Sequence, residues 1–242
     1  MLFRSDTITA GNLCAFTVEA SRRGRIDEKI EYNDVDAIAG LLEKIARREV
    51  IGDVLARGIK HAARVWDLED IAVHTKGLEP PGYYHHTLKG MGLAYATSDS
   101  GACHLRATFY KPELAGMIPP DQIKGKAQLF VEFEDRLAIF DTLILCRFYR
   151  DLYPWDKLSN MIRLTTGLDY DELELKARAK AVADIVRHFN LREGLEPEDD
   201  RLPKGFYRES DGDNPLTPEE LESMLTDYYR LRGWDEAGKP PV

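Results

Sequence analysis

Four places in this chain put cysteine, histidine or aspartate where such side chains can do chemistry. In Gly101-Ala102-Cys103-His104-Leu105-Arg106 a thiol stands next to an imidazole, the pairing of a nucleophile with its base. Neighbouring side chains on a helix diverge by about 100°, so the plainer reading is a core cysteine beside a pocket or core histidine. His85-His86, within Tyr83-Tyr84-His85-His86, can contribute to a metal site, but no third ligand falls nearby at helical spacing. Loop or surface histidines are the simpler expectation there, and His61, His74 and His188 carry no further signal. Asp141 lies in the apolar run Phe140-Asp141-Thr142-Leu143-Ile144-Leu145-Cys146. A carboxylate in a packed region needs partners. It is either an internally satisfied hydrogen-bonding group or an acceptor for a donor-rich ligand. Cys146 is either inert filler in apolar surroundings or a metal ligand.

The elements that must position these groups are helical. Val35, Ile38, Leu41, Leu42 and Ile45 recur at helical spacing in Asp34 to Glu49, with Asn33 as N-cap. A second helix is predicted from about Gln122 to Tyr149. Leu129, Phe133, Leu137, Phe140 and Ile144 mark one face and Ile139, Leu143 and Cys146 widen it, which makes it central. Asp169 to Asn190 gives a third, with Leu173, Ala177, Ala181, Ile185 and Phe189 in register. A fourth runs from Thr217 to Leu231, with Thr217 as cap and Pro218 in the first turn. Alternation is scarce and no Asn-Gly or Asp-Gly hairpin turn occurs, so the class is all-α, or mainly so. Gly77 to Gly92 is too rich in glycine and proline to be one helix and divides the chain into two lobes. Lys111 to Asp121 reads as an irregular connector, and Glu196 to Asn214 as a polar surface loop.

Composition excludes more than it selects. The 242 residues carry a formal net charge of -9, which argues against a nucleic-acid or anionic-membrane partner. No apolar run approaches the roughly 18 residues of a membrane span, and Met1 to Asn12 lacks the regions of a secretory signal, so a cytoplasmic location is expected. Cys14, Cys103 and Cys146 are too far apart for a disulfide framework or a CxxC knuckle. If one of them binds metal, its co-ligands come from elsewhere in space or from another chain.

Several motifs in order resemble the aldehyde ferredoxin oxidoreductase family. They are Asp6-Thr7-Ile8-Thr9-Ala10-Gly11-Asn12, Lys76-Gly77-Leu78-Glu79-Pro80-Pro81, Gly90-Met91-Gly92-Leu93-Ala94-Tyr95-Ala96-Thr97-Ser98, Gly101 to His104, and Tyr228-Tyr229-Arg230-Leu231-Arg232-Gly233-Trp234. The resemblance implies two packed helical lobes, similar to domains 2 and 3 of that family. Residues 1–78 would be the C-terminal part of the second domain and 79–242 the third, with the N-terminal pterin-base domain absent. It also implies oxidation of aldehydes to carboxylic acids on tungsten, or molybdenum, held by two pterins, with electrons leaving through a [4Fe-4S] cluster to ferredoxin.

Site residues follow from the resemblance, position by position. Family members grip the pterins with two D-x-x-G-x-(C/D) motifs; Asp141 to Cys146 is similar to the second, with Ile144 where glycine is usual. Of the first, Asp6 and Thr7 remain. Asp6, Thr7, Arg106, Asp141 and Leu145 would contact the pterins, Arg106 through their phosphates, and His104 would act near the metal. Cys146 would be one cluster ligand, and the CxxCxxxC run that supplies the other three does not occur in this sequence. A lone chain is then expected not to assemble the cluster, and to need a missing N-terminal domain or subunit. An exposed, partly apolar face is expected in consequence, with association to that partner or to itself. Tyr83-Tyr84-His85-His86 stands where relatives commonly have Tyr-Asp-Pro-Arg. The alternative function is a non-catalytic helical scaffold that kept the packing and lost the redox role.

Overall fold

The structure is a computed structural model that describes residues 6–83, 85, 87–207 and 214–241. Among these the architecture is helical, and the sole pairing of extended backbone is an isolated bridge between Thr75 and Leu78. The all-α expectation holds.

Helices α1 (Thr7–Arg22), α2 (Val35–Arg47), α3 (Ile51–Leu55) and α4 (Ile59–Trp66) share one apolar core, from Leu13 through Leu41, Leu55 and Trp66 to Ala72. Asp6 starts α1 by accepting the backbone N–H of Thr9, and Asp34, rather than Asn33, caps α2 in the same way through Ala37. The α2–α3 corner closes on Gly52, where a Cβ would stand 2.2 Å from the carbonyl carbon of Lys44.

A second core is built around α5 (Lys89–Thr97), which is buried from Lys89 through Ala96. Gly90 and Gly92 let the Phe109 ring and Leu216 press against its backbone. The short α6 (Tyr110–Leu114) occupies part of the predicted connector. Helix α10 (Pro218–Arg232) completes this core and carries the expected Thr217 cap, a full capping box with Glu220.

Helix α7 (Lys126–Thr142) is central, as its pattern predicts. Phe130 belongs to the second core, whereas Leu137, Ile139 and Phe140 belong to a third, shared with α8 (Trp155–Thr166) and α9 (Glu172–Arg192). It ends seven residues before the predicted Tyr149, and Asp141 is therefore an exposed residue of its last turn rather than a carboxylate inside the packing. Cys146 is likewise exposed and not packed inside an apolar region. On α9 the register differs too: Leu175, Ala179 and Arg187 are buried, and the predicted stripe of Leu173, Ala177, Ala181, Ile185 and Phe189 faces solvent.

Buried ion pairs pin the elements. Lys126 and Glu113, both without side-chain exposure, meet at 2.5 Å, and Lys126 also donates to the carbonyls of Pro119 and Pro120. Arg232 joins Asp135 at 2.6 Å. Asp200 gathers Lys76 at 3.0 Å, Arg187 at 2.7 Å and the Tyr229 hydroxyl at 2.6 Å, tying the loop before α5 to α9 and α10. The described part of the predicted surface loop, 196–207, is more than that: Asp200 and Phe206 have no exposure, and each lies in a short 3₁₀ helix, Pro197–Asp200 and Lys204–Tyr207.

Candidate functional site

The site begins where α7 stops. The N–H of Leu145 returns to the carbonyl of Phe140 at 2.9 Å and that of Ile144 to Asp141 at 3.1 Å, a Schellman closure. Its pivotal position requires left-handed backbone, and Ile144 holds it at φ 57° with 93% of its surface exposed. The closure turns the chain so that half-buried Leu145 and exposed Cys146 lead into a 3₁₀ helix, Arg147–Leu152.

Asp141 projects from this corner between two guanidiniums. Its Oδ2 accepts from Arg106 Nη1 at 3.0 Å and from Arg147 Nη2, and its Oδ1 accepts from Arg147 Nε at 3.0 Å. Arg106 is shared with Asp99, whose Oδ1 takes Nε at 2.7 Å, and Asn190 of α9 donates to the Asp99 carbonyl at 2.9 Å. Burial disfavours the Arg106 cation, but Asp99 and Asp141 outweigh it and hold its pKa above the ordinary value. Arg147 also donates to the carbonyl of Leu105, which fixes the His104 to Arg106 turn against the end of α7.

His104 is therefore on the same face, in a turn rather than a helix. Its ring lies 5.3 Å from that of Tyr83, which in turn stacks on Tyr110 at 3.9 Å. Burial, then the positive charge of Arg147, lowers the His104 pKa, so the imidazole is neutral at pH 7. Cys103 is occupied locally, its Sγ accepting the Leu105 N–H at 3.4 Å. Beside Asp141 and Arg106 a cavity of about 130 Å³ extends between α7, α9 and α10, with Val186, Tyr228 and Trp234 in its lining.

Asp6 and Thr7 occupy the start of α1, where burial raises the Asp6 pKa but the hydrogen bonds from Thr9 and from neighbouring backbone together outweigh it and leave it below the usual carboxylate value. Thr9 Oγ1 lies 2.8 Å from Oε2 of Glu79, which is 2% exposed. Burial raises the Glu79 pKa, and its Oε1 has no hydrogen-bond partner. His85 is buried in its loop against the Phe206 carbonyl, with Nε2 to O at 2.7 Å; Tyr84 and His86 lie outside the described residues. No group of three or more His, Cys, Asp or Glu side chains suited to a metal ion occurs among the described residues.

The surface around the site is apolar. Leu105, Ile144, Phe148, Tyr149 and Leu152 are 41% to 93% exposed and follow one another along the turn and the 3₁₀ helix that carry the site. Arg147 is the residue that sequence reasoning missed. Its one signal was position: a cation directly after Cys146, where the chain resumes from the α7 corner.

The family model for aldehyde ferredoxin oxidoreductase, domains 2 and 3, matches residues 5–242. The chain belongs to that family. It is 33% identical over 250 positions to the tungsten-containing aldehyde ferredoxin oxidoreductase of Pyrococcus furiosus, covering 98% of this chain and 41% of that protein. The corresponding figures for the Thermococcus kodakarensis enzyme are 31%, 99% and 42%. A more distant relative is the aliphatic sulfonate oxidoreductase, WOR-like subunit, of Pyrococcus furiosus, at 24% identity. Among solved structures, the active-site complex BamBC of benzoyl coenzyme A reductase shares the fold, with a TM-score of 0.70 over 96% of this chain and 42% of that one, at 20% identity. The chain thus spans about two-fifths of the length of the curated relatives it matches. None of its described helices is long and apolar enough to cross a membrane.

Proposed function

We propose that this chain is the C-terminal portion of a tungsten, or molybdenum, bis-pterin enzyme that oxidises aldehydes to carboxylic acids and delivers electrons through a [4Fe-4S] cluster to ferredoxin. The observation that carries the proposal is the pairing of Arg106 and Arg147 around exposed Asp141, beside neutral His104 and inside an apolar rim. Two guanidiniums suit phosphate oxygens, and a carboxylate suits the ring N–H groups of a pterin. Arg106, Arg147, Asp141 and the Leu145 backbone would hold one pterin, and Asp6 with Thr7 the other. When bound, the pterin-held metal supplies the two-electron oxidation. His104 takes up or returns the proton that aldehyde oxidation releases, at an imidazole nitrogen left uncharged by its surroundings.

The residues present do not fit a [4Fe-4S] cluster alone. Four thiolates are needed, and Cys146 is the one exposed cysteine near this corner. The polypeptide that covers the remainder of the relatives' length would bring the other three and seat itself on the apolar rim. The division into a partial second domain, 1–78, and a third domain, 79–242, belongs to the same proposal, and the change of core between Ala72 and Leu88 supports it.

The test is to purify the chain anaerobically, alone and with the polypeptide matching the relatives' N-terminal part, and to measure metals, visible absorption and aldehyde-dependent dye reduction. Tungsten or molybdenum, iron and activity in the combined sample are expected, with iron lost in Cys146→Ser. A combined sample free of all three metals rejects the enzyme and leaves the scaffold reading.

A further inference from the structure

Away from the Asp141 corner, the chain buries a carboxyl group that no cation answers. Glu79 and Glu113 are each 2% exposed, but Glu113 is met by Lys126, whereas the charge that acts on Glu79 is that of Asp6, of its own sign. From α4 it is the uncharged backbone N–H of Ile59 that faces Glu79. Its place is well fixed. The two backbone hydrogen bonds between Thr75 and Leu78, 2.9 and 3.0 Å, hold the chain just before it, and Asn12 of α1 donates to the Pro80 carbonyl just after it at 3.3 Å. Glu79 Oε2 is thereby set 2.8 Å from Thr9 Oγ1, and the same hydroxyl lies 3.1 Å from Asp6 Oδ2.

A hydroxyl has one proton to donate. Thr9 stands between two carboxyl groups and can satisfy only one of them as a donor, so the row Asp6–Thr9–Glu79 needs a second proton. With both acids ionised, two like charges would also face each other across one hydroxyl. The second proton belongs on Glu79. Asp6 is exposed and accepts the Thr9 backbone N–H at 2.9 Å as well, which favours its anion. Glu79 Oε1 has no donor at all. In a buried carboxylate that oxygen would be a charged atom without a partner, whereas in a neutral acid it is a carbonyl oxygen, which costs far less to leave unpaired. Burial pushes the Glu79 carboxyl in the same direction.

We infer that Glu79 is a neutral carboxylic acid in the folded chain, donating to Thr9, which donates to Asp6, so that Glu79 acts as the positioning residue that leaves Asp6 an outward-facing anion. What Asp6 then holds rests on the proposed function: a carboxylate accepts the ring N–H groups of a pterin with both oxygens, whereas a protonated Asp6 would bring a competing donor.

NMR titration of the side-chain carboxyl carbons in the 242-residue chain tests where the protons are, with no cofactor involved. Glu79 should keep its proton after exposed glutamates such as Glu43 have ionised, while Asp6 titrates below the ordinary aspartate value. Thr9→Val removes the hydroxyl and should move the Asp6 titration upward, and Thr9→Ser should restore it. Had Thr9 been donating to an ionised Glu79, Asp6 would not move. Glu79→Gln, which keeps a donor toward Thr9, should leave Asp6 in place. It also gives a second measurement by urea unfolding. A carboxyl whose folded pKa is raised contributes stability at low pH that is lost as pH rises, so the wild-type folding constant should fall relative to Glu79→Gln by up to about tenfold per pH unit above the unfolded value of about 4.3, until the folded group ionises. A Glu79 that ionises together with Glu43, an Asp6 unmoved by Thr9→Val, or parallel pH–stability curves for the wild type and Glu79→Gln overturns the inference.

The combined complex tests the positioning role. Pterin retained should fall by about tenfold in Thr9→Val, the value of one hydrogen bond to a charged group, and return in Thr9→Ser, with Glu79→Gln close to the wild type. Full retention in Thr9→Val overturns that role. A wild-type complex without pterin rejects the proposed function instead, and the proton assignment, measured on the chain alone, stands apart from it.

Discussion

Replacing Ile144 by glycine should stabilise the chain, although it deletes a large apolar side chain. Ile144 sits at φ 57°, the left-handed position of the Schellman closure of α7. An L-residue in that region carries a cost of about 1–2 kcal/mol, and β-branching places Ile144 at the upper end. The side chain is 93% exposed, so its removal leaves no cavity. Glycine gains more freedom in the unfolded chain, which offsets about 0.4–1 kcal/mol. The balance is a stabilisation of about 1–1.6 kcal/mol, which at this chain length raises Tm by about 2–6 °C. Urea and thermal unfolding of Ile144→Gly, with Ile144→Ala as control, measure it. Alanine removes the β-branch but keeps the Cβ, so it should recover less than half of the gain. Equal effects of the two, or destabilisation by glycine, would refute the backbone argument. The family's usual glycine would then owe its place to close approach of a ligand, with metal loading, not stability, as the property that changes.

Lys126→Met should cost about 3–5 kcal/mol by stranding the buried Glu113 carboxylate, and the double variant Lys126→Met/Glu113→Leu should recover most of it in the same denaturation assay. Arg147→Ala should change stability by less than ~1 kcal/mol, since its ion pair with Asp141 is partly solvated, yet it should sharply reduce pterin retained in the combined complex; full retention counts against the phosphate role. His104 should titrate below the ordinary imidazole value of about 6.5 when followed by NMR. Because the unfolded chain then protonates first, His104 makes stability fall as pH drops through about 6.5 toward the folded pKa, and His104→Gln should remove that slope.

What the sequence disclosed depended on whether burial was one-sided. Helices α2 and α10 bury one face and carry local caps, so period and N-cap together located them, with the α2 cap one residue off. Helix α5 is buried on all sides and contains two glycines for close packing, and so resembled a loop. Helix α1 escaped notice for a similar reason: Leu13, Cys14, Phe16, Thr17, Val18 and Ala20 are all buried and leave little periodic contrast. The end of α7 was hidden because the residue that terminates it is isoleucine instead of the glycine that would signal a stop. On α9 the period was right and the face was wrong: the stronger stripe points outward, while the inward face uses Leu175, Ala179 and an arginine. At the site, Arg106 and Asp141 were legible through their motifs and do meet. Their joint partner Arg147 was not, because its role depends on a corner that the sequence pattern concealed.

The ion pairs of this chain fall into two kinds, and the difference bears on function. Lys126–Glu113, Arg232–Asp135 and the Asp200 cluster are buried, link elements distant in sequence and hold the cores together. The Arg106–Asp141–Arg147 group also joins distant segments but holds them less strongly, since Asp141 and Arg106 are each 38% exposed at the side chain and solvent weakens their attraction. Around that group Ile144, Phe148 and Tyr149 are left in water, which costs solubility and gains nothing for a chain on its own. A charged cluster with little value for folding, framed by apolar surface with little value in solvent, is accounted for when something outside this chain covers both. A phosphate-bearing ligand would satisfy the guanidiniums, and a polypeptide face would bury the rim. Burial by that face would in turn strengthen each hydrogen bond to the ligand by excluding water.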